Sequence, residues 1–62
     1  MIYGKRLKDL REEKGLKQYE IAELLNFHKN GYGQFERETT LLPIKHLNTL
    51  CNIFNVSLRL LI

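Results

Sequence analysis

Tyr3, Leu7 and Leu10 recur at three- and four-residue intervals, with charged side chains filling the positions between them. That spacing gathers the apolar groups on one face of an α-helix. Gly15 follows Lys14 as a helix-ending residue, and Leu16 beyond it can fold back onto a core. The pattern therefore predicts a first helix from Tyr3 to Lys14. A short second helix is predicted from Gln18 through Leu25, closed by Asn26, since asparagine tolerates a left-handed turn better than other non-glycine residues. Tyr32 and Phe35 keep a helical interval and predict a third helix over His28–Arg37. Gly31 and Gly33 weaken it, each costing roughly 0.8–1 kcal/mol against alanine in a helix interior. Glu38 to Leu42 reads as a loop, and Pro43 suits the first turn of the next helix. Ile44, Leu47, Leu50, Cys51 and Phe54 then form a stripe of helical period that Asn55 stops. Ser57 suits the N-cap of a last short helix, Leu58 to Ile62. The expectation is an all-α fold of five helices, without strands, repeats or low-complexity tracts.

Composition narrows the class. Sixty-two residues make one domain, 1–62, and a chain this short buries only about 60% of the surface its unfolded form exposes. With 44% hydrophobic and 27% charged residues it is globular in composition. A lone cysteine, Cys51, fits a reducing cytoplasm better than an oxidising compartment, where so small a domain usually carries paired cysteines. No apolar stretch follows Lys5 and Arg6, which argues against a signal peptide. The longest apolar cluster, Leu58 to Ile62, is interrupted by Arg59 and is too short to cross a bilayer, so no membrane partner is expected. The net charge of +3 is uneven. Lys5, Arg6, Lys8, Arg11, Lys14 and Lys17 outnumber Asp9, Glu12 and Glu13 in the first segment, while charges cancel in the remainder. That suits either an anionic partner or a solvated helix face.

Several chemistries are not expected. His28 and His46 have no cysteine or carboxylate partners at ligand spacing, which argues against a metal site. Cys51 sits on the apolar stripe and reads as core, with no histidine placed to activate it. There is no glycine-rich phosphate loop, catalytic triad or acid/base carboxylate pair, and the chain is small for a ligand pocket. No enzyme activity, cofactor or small-molecule substrate is expected.

The informative stretch is Gln18 to Arg37: a short helix, a tight turn and a second short helix. Ala22 is small enough for two helices to cross closely, and Asn26 suits the turn. Tyr32 and Phe35 can bury one face of the second helix, leaving Lys29, Asn30, Gly33 and Gln34 free. These are the geometric demands of a helix-turn-helix, whose second helix enters the major groove.

From Tyr3 onward the chain resembles the DNA-binding domain of the Cro/Xre-type phage repressors and bacterial regulators, the lambda-repressor-like fold. The likeness rests on Gly4-Lys5-Arg6-Leu7-Lys8-Asp9-Leu10-Arg11-Glu12-Glu13-Lys14-Gly15-Leu16, Gln18-Tyr19-Glu20-Ile21-Ala22, Phe35-Glu36-Arg37 and Asn55-Val56-Ser57, in register without a gap. The resemblance implies that Gln18 touches a phosphate of double-stranded DNA, with Lys17, His28, Gly33 and Arg37 also along the backbone. It implies that Lys29, Asn30 and Gln34 read base edges: asparagine and glutamine pair bidentately with adenine, and lysine prefers guanine acceptors. It also implies a partly buried ion pair between Arg11 and Glu36. A homodimeric repressor on an inverted repeat is expected, with half-sites about 34–36 Å apart. Leu58, Leu61 and Ile62 either form the dimer surface or close the core. The same fold also serves as a protein-interaction module, such as an antitoxin or an anti-repressor partner, with DNA binding secondary.

The chain departs from the family pattern in places. Lys17 and His28 occupy cap positions that usually carry serine or threonine, so the second and third helices are expected to fray. Gly33 removes a side chain where a base is often read, which either admits close approach of the backbone as a marginal helix firms on binding or is merely tolerated. Glu38 replaces a common glycine, so the third helix is expected to run on or to end without a left-handed residue. Tyr19 is expected to be exposed, near DNA backbone or in solvent.

Overall fold

In the computed structural model, which describes residues 3–61, the chain forms α1 (Tyr3–Glu13), α2 (Gln18–Leu24), α3 (Gly33–Glu36), α4 (Ile44–Phe54) and α5 (Leu58–Leu61). There is no strand among the described residues. Met1, Ile2 and Ile62 lie outside them, and with Ile62 goes part of the predicted dimer surface. The apolar stripes meet in one core of Leu7, Ile21, Ala22, Leu25, Tyr32, Phe35, Leu50, Phe54 and Leu61. α1 packs against α3 and α5, and α4 against α5. Cys51 is half-buried on α4, with its thiol pushed up by burial. Among the described residues no helix is long and apolar enough to cross a membrane.

Four helices end by one device. Gly15, Asn26, Glu38 and Asn55 are left-handed, with φ of 72°, 57°, 57° and 55°. Each is followed by an N–H that reaches back five residues: Leu16 to Arg11, Phe27 to Ala22, Thr39 to Gln34 and Val56 to Cys51. This is the Schellman arrangement, which satisfies carbonyls that a helix end leaves open. Glu38 corrects the expectation for α3, since it takes the left-handed conformation despite its side chain. Its carboxylate explains the choice: Oε2 accepts the Gly4 N–H at 2.9 Å, a negative group on the positive end of α1. The approach requires glycine at position 4, because a Cβ there would fall on the Glu36 carbonyl.

The predicted third helix is corrected more heavily. Only Gly33–Glu36 is α-helical, and residues 29–32 form turns. Gly31 N–H bonds the His28 carbonyl at 2.8 Å and Phe35 N–H bonds that of Tyr32 at 2.8 Å, a tighter three-residue spacing. Two glycines lower the helical preference, and the Phe27 ring lies where a Cβ of residue 31 would stand. Neither irregular cap position is empty. His28 Nδ1 accepts the Asn30 N–H at 3.2 Å, and Glu20 Oε1 accepts the Lys17 N–H at 2.7 Å. α1 ends one residue before the predicted Lys14, which is already in the turn.

Leu61 is also corrected. It is 2% exposed and belongs to the core, because α5 packs on both α1 and α4. Leu58 and Leu60 stay outside, 44% and 50% exposed.

Candidate nucleic-acid interface

The two helices of the turn motif are locked from behind by a polar network. Arg11, on α1, grips Glu36 of α3 with two bonds, Nε to Oε2 at 2.6 Å and Nη2 to Oε1 at 3.2 Å. Its Nη1 donates to the Leu16 carbonyl at 2.9 Å. Gln18, the first residue of α2, donates from Nε2 to the same Glu36 Oε1 at 3.0 Å. The Glu36 side chain is 4% exposed and that of Arg11 11%. A buried carboxylate is costly unless paired and hydrogen-bonded, and here both oxygens are used. Burial pushes the Glu36 carboxyl up, but hydrogen bonds led by Arg11 and Gln18 overcome it and hold it below its ordinary value. The hydrogen bond to Glu36 likewise holds the Arg11 guanidinium above its ordinary value against burial. Tyr32, fully buried, brings its hydroxyl near this carboxylate without reaching good hydrogen-bond geometry. Burial first, and then Glu36, push that hydroxyl far above its ordinary value.

In front of the network lies an open groove of about 500 Å³ lined by Arg11, Lys17, Gln18, Tyr19, Lys29, Asn30 and Arg37. Four of these are cationic and none is acidic. A larger groove between α1 and the end of α3, about 660 Å³, is lined by Lys5, Lys8 and Arg37 but also by Asp9, Glu12, Glu36 and Glu38. Opposed charges nearly cancel in the larger groove, whereas the smaller one keeps Lys17, Lys29 and Arg37 beyond the Arg11–Glu36 pair and so concentrates a positive field. It has hydrogen-bond donors at its walls and an exposed tyrosine at its edge, 54% exposed.

The residues expected at this face separate into two groups. Lys17, His28, Lys29, Asn30, Gln34 and Arg37 are exposed. Lys29 and Asn30 lie in the turn before α3, not in its first helical residues. Gln18 is half-buried, with one amide donor committed to Glu36. Gly33 is buried, and the position of its missing Cβ lies 2.9 Å from both Gln18 Oε1 and Arg37 Nη1. Its backbone is thus covered by two side chains, a correction to the expectation of open access there. Position 33 instead lets α2 close on α3.

One participant escapes sequence reasoning altogether. Thr40 Oγ1 donates to Gln34 Oε1 at 2.6 Å. Nothing in the spacing of residues 34 and 40 announces this contact, which depends on the left-handed Glu38 turning the chain back. Tyr19 on the groove edge had only its helical phase to mark it.

A family model described as helix-turn-helix matches residues 7–61. The chain is 38% identical over 56 residues to the SPbeta prophage-derived uncharacterized HTH-type transcriptional regulator YonR of Bacillus subtilis (strain 168), covering 90% of this chain and 52% of that protein. It is 40% identical over 57 residues to the HTH-type transcriptional regulator ImmR of the same organism, covering 92% of this chain and 45% of the relative. The chain thus spans about half the length of these curated relatives. No solved structure matches it.

Proposed function

The chain belongs to the helix-turn-helix family of Cro/Xre type, and from that premise we propose that it binds double-stranded DNA sequence-specifically as a small transcriptional regulator of the repressor kind. The observation that carries this reading is the groove at the mouth of the turn motif, whose charged lining residues are all basic. Phosphates are the anions that such a groove, with amide donors beside it, is suited to hold. Lys17 and Arg37 serve the DNA backbone, with Gln18 offering its remaining amide hydrogen and His28 close by. Lys29, Asn30 and Gln34 face base edges in the major groove. The protein acts in the cytoplasm as a homodimer on an inverted repeat, and its task requires no cofactor and no catalytic step.

The test is selection of sites from a random duplex pool at near-physiological salt, with wild type and Gln34→Ala in parallel. The expected result is an enriched inverted repeat, relaxed at one base position per half-site in the variant. Affinity for that site should fall steeply with salt, as counterions released from phosphates require. Absence of enrichment at concentrations that populate a dimer overturns the reading. So does binding that is indifferent to salt.

A further inference from the structure

The outer face of α1 carries its charges in an order that the helix itself does not favour. Lys5, Lys8, Asp9 and Glu12 stand at i, i+3, i+4 and i+7, so they share one face, and all four are exposed. They also line the larger groove together. The cations occupy the end where the helix dipole is positive, and the acids, continued by Glu13, the end where it is negative. Lys5 Nζ reaches Asp9 Oδ2 at 3.1 Å, but with the cation first, which is the weaker order for an exposed pair one turn apart. Glu12 has only a 3.9 Å approach to the Arg11 guanidinium, which is committed to Glu36. Among the described residues Lys8 pairs with no carboxylate.

We propose that this face of α1 docks on the α1 of a second copy, laid antiparallel about a two-fold axis that passes between residues 8 and 9. Turned about that axis, the order cation, cation, acid, acid is its own complement. Lys5 meets the second copy's Glu12, and Lys8 meets the second copy's Asp9. Two-fold symmetry repeats each pair, over about 10 Å of helix. A parallel arrangement in register would set like charges together, so the charge order also selects the orientation. The face holds no apolar side chain, which makes the contact electrostatic, weak in isolation and sensitive to salt. It uses none of the exposed leucines of α5. Where copies stand at neighbouring sites on one duplex, a consequence that rests on the DNA-binding reading above, high effective concentration turns such a contact into cooperative occupancy.

The experiment is carbodiimide coupling, which joins an amine to a carboxylate already in contact, on an equal mixture of isotope-labelled and unlabelled full-length chain at low ionic strength. Mass spectrometry should find Lys5 joined to Glu12 and Lys8 joined to Asp9 in peptides with one labelled and one unlabelled half. Those peptides should be lost at about 1 M salt, where the Debye length is about 3 Å. Lys5→Glu with Lys8→Glu makes the face wholly acidic, and Asp9→Lys with Glu12→Lys makes it wholly basic. Both variants lie on the surface, and unchanged helical circular dichroism checks that they fold. Neither should couple through α1 alone, and a mixture of the two should couple again. Absence of mixed-isotope α1 peptides in wild type at low ionic strength overturns the interface. So does a mixture of the variants that couples no better than each by itself. The experiment contains no DNA, so its failure leaves the DNA-binding reading where it stands.

Discussion

At Glu36 three helices meet through one carboxylate: α1 through Arg11, α2 through Gln18 and α3 through its own backbone. Removing it leaves the Arg11 guanidinium buried without its counterion. Glu36→Ala should therefore lower stability by on the order of 3 kcal/mol, read from urea denaturation at neutral pH. The depressed carboxyl also sets an acid dependence. A carboxylate with a lowered folded pKa contributes stability that is whole above its unfolded value, roughly 4.3, and is lost as pH falls through the folded value. Melting temperature should thus drop below about pH 4, and Glu36→Gln should flatten that drop. An equal acid slope in the variant would assign the loss to other groups. Glu38 carries a different balance, since its left-handed backbone is strained by roughly 1 kcal/mol while its carboxylate closes the start of α1. Glu38→Gly relieves the strain and forfeits the bond, so it should be nearly neutral. Glu38→Ala forfeits the bond and keeps the strain, and should cost about 1 kcal/mol or more in the same denaturation series. If the two variants prove equal, the left-handed backbone carries no strain.

The helical elements were legible in proportion to how far their own side chains decide them. α1 and α4 have apolar stripes and end signals in Gly15 and Asn55, and both were read from the pattern to within a residue of their ends. The pattern overextends the third helix because its length depends on a ring from outside it. Phe27 stacks on Phe35 with centroids 5.6 Å apart and occupies the space beside Gly31. The left-handed Glu38 is hidden from the local pattern because its compensation comes from Gly4, more than thirty positions away in the chain. The positions expected to face DNA could be named from the motif, but the Thr40 contact and the cover over Gly33 depend on tertiary closure that spacing does not encode. The two glycines of this element now make opposite forecasts. Gly31→Ala drives a methyl group into the Phe27 ring and should cost about 1–3 kcal/mol. Gly33→Ala meets the free end of Arg37 and the amide oxygen of Gln18, which can shift slightly while its nitrogen keeps Glu36, and gains up to about 1 kcal/mol of helical preference. Thermal melts of the two variants should shift in opposite directions, and a loss at both positions would show that Gly33 is sterically required as well.

For the molecule as a whole, a core this small leaves apolar groups at the surface. Leu41 and Ile44 are 89% and 75% exposed, and Leu58 and Leu60 add half-exposed side chains on α5. A dimer through α5 would use Leu58 and Leu60, with Leu61 turned inward. Sedimentation equilibrium should then show a concentration-dependent dimer that Leu58→Glu shifts to monomer, without a change in helical circular dichroism. A wild type monomeric throughout the accessible range would remove α5 from the interface. The gap at Gly33 has a consequence for how such a protein diverges. A new side chain there would push the Arg37 guanidinium toward solvent and press on Gln18, which holds Glu36. On the proposed DNA-binding reading, one mutation would then alter the base-facing surface and the phosphate-facing surface together. Descendants of this sequence could acquire a new operator in a single step, escaping cross-regulation by the parent at the expense of part of the contact between Gln18 and Glu36.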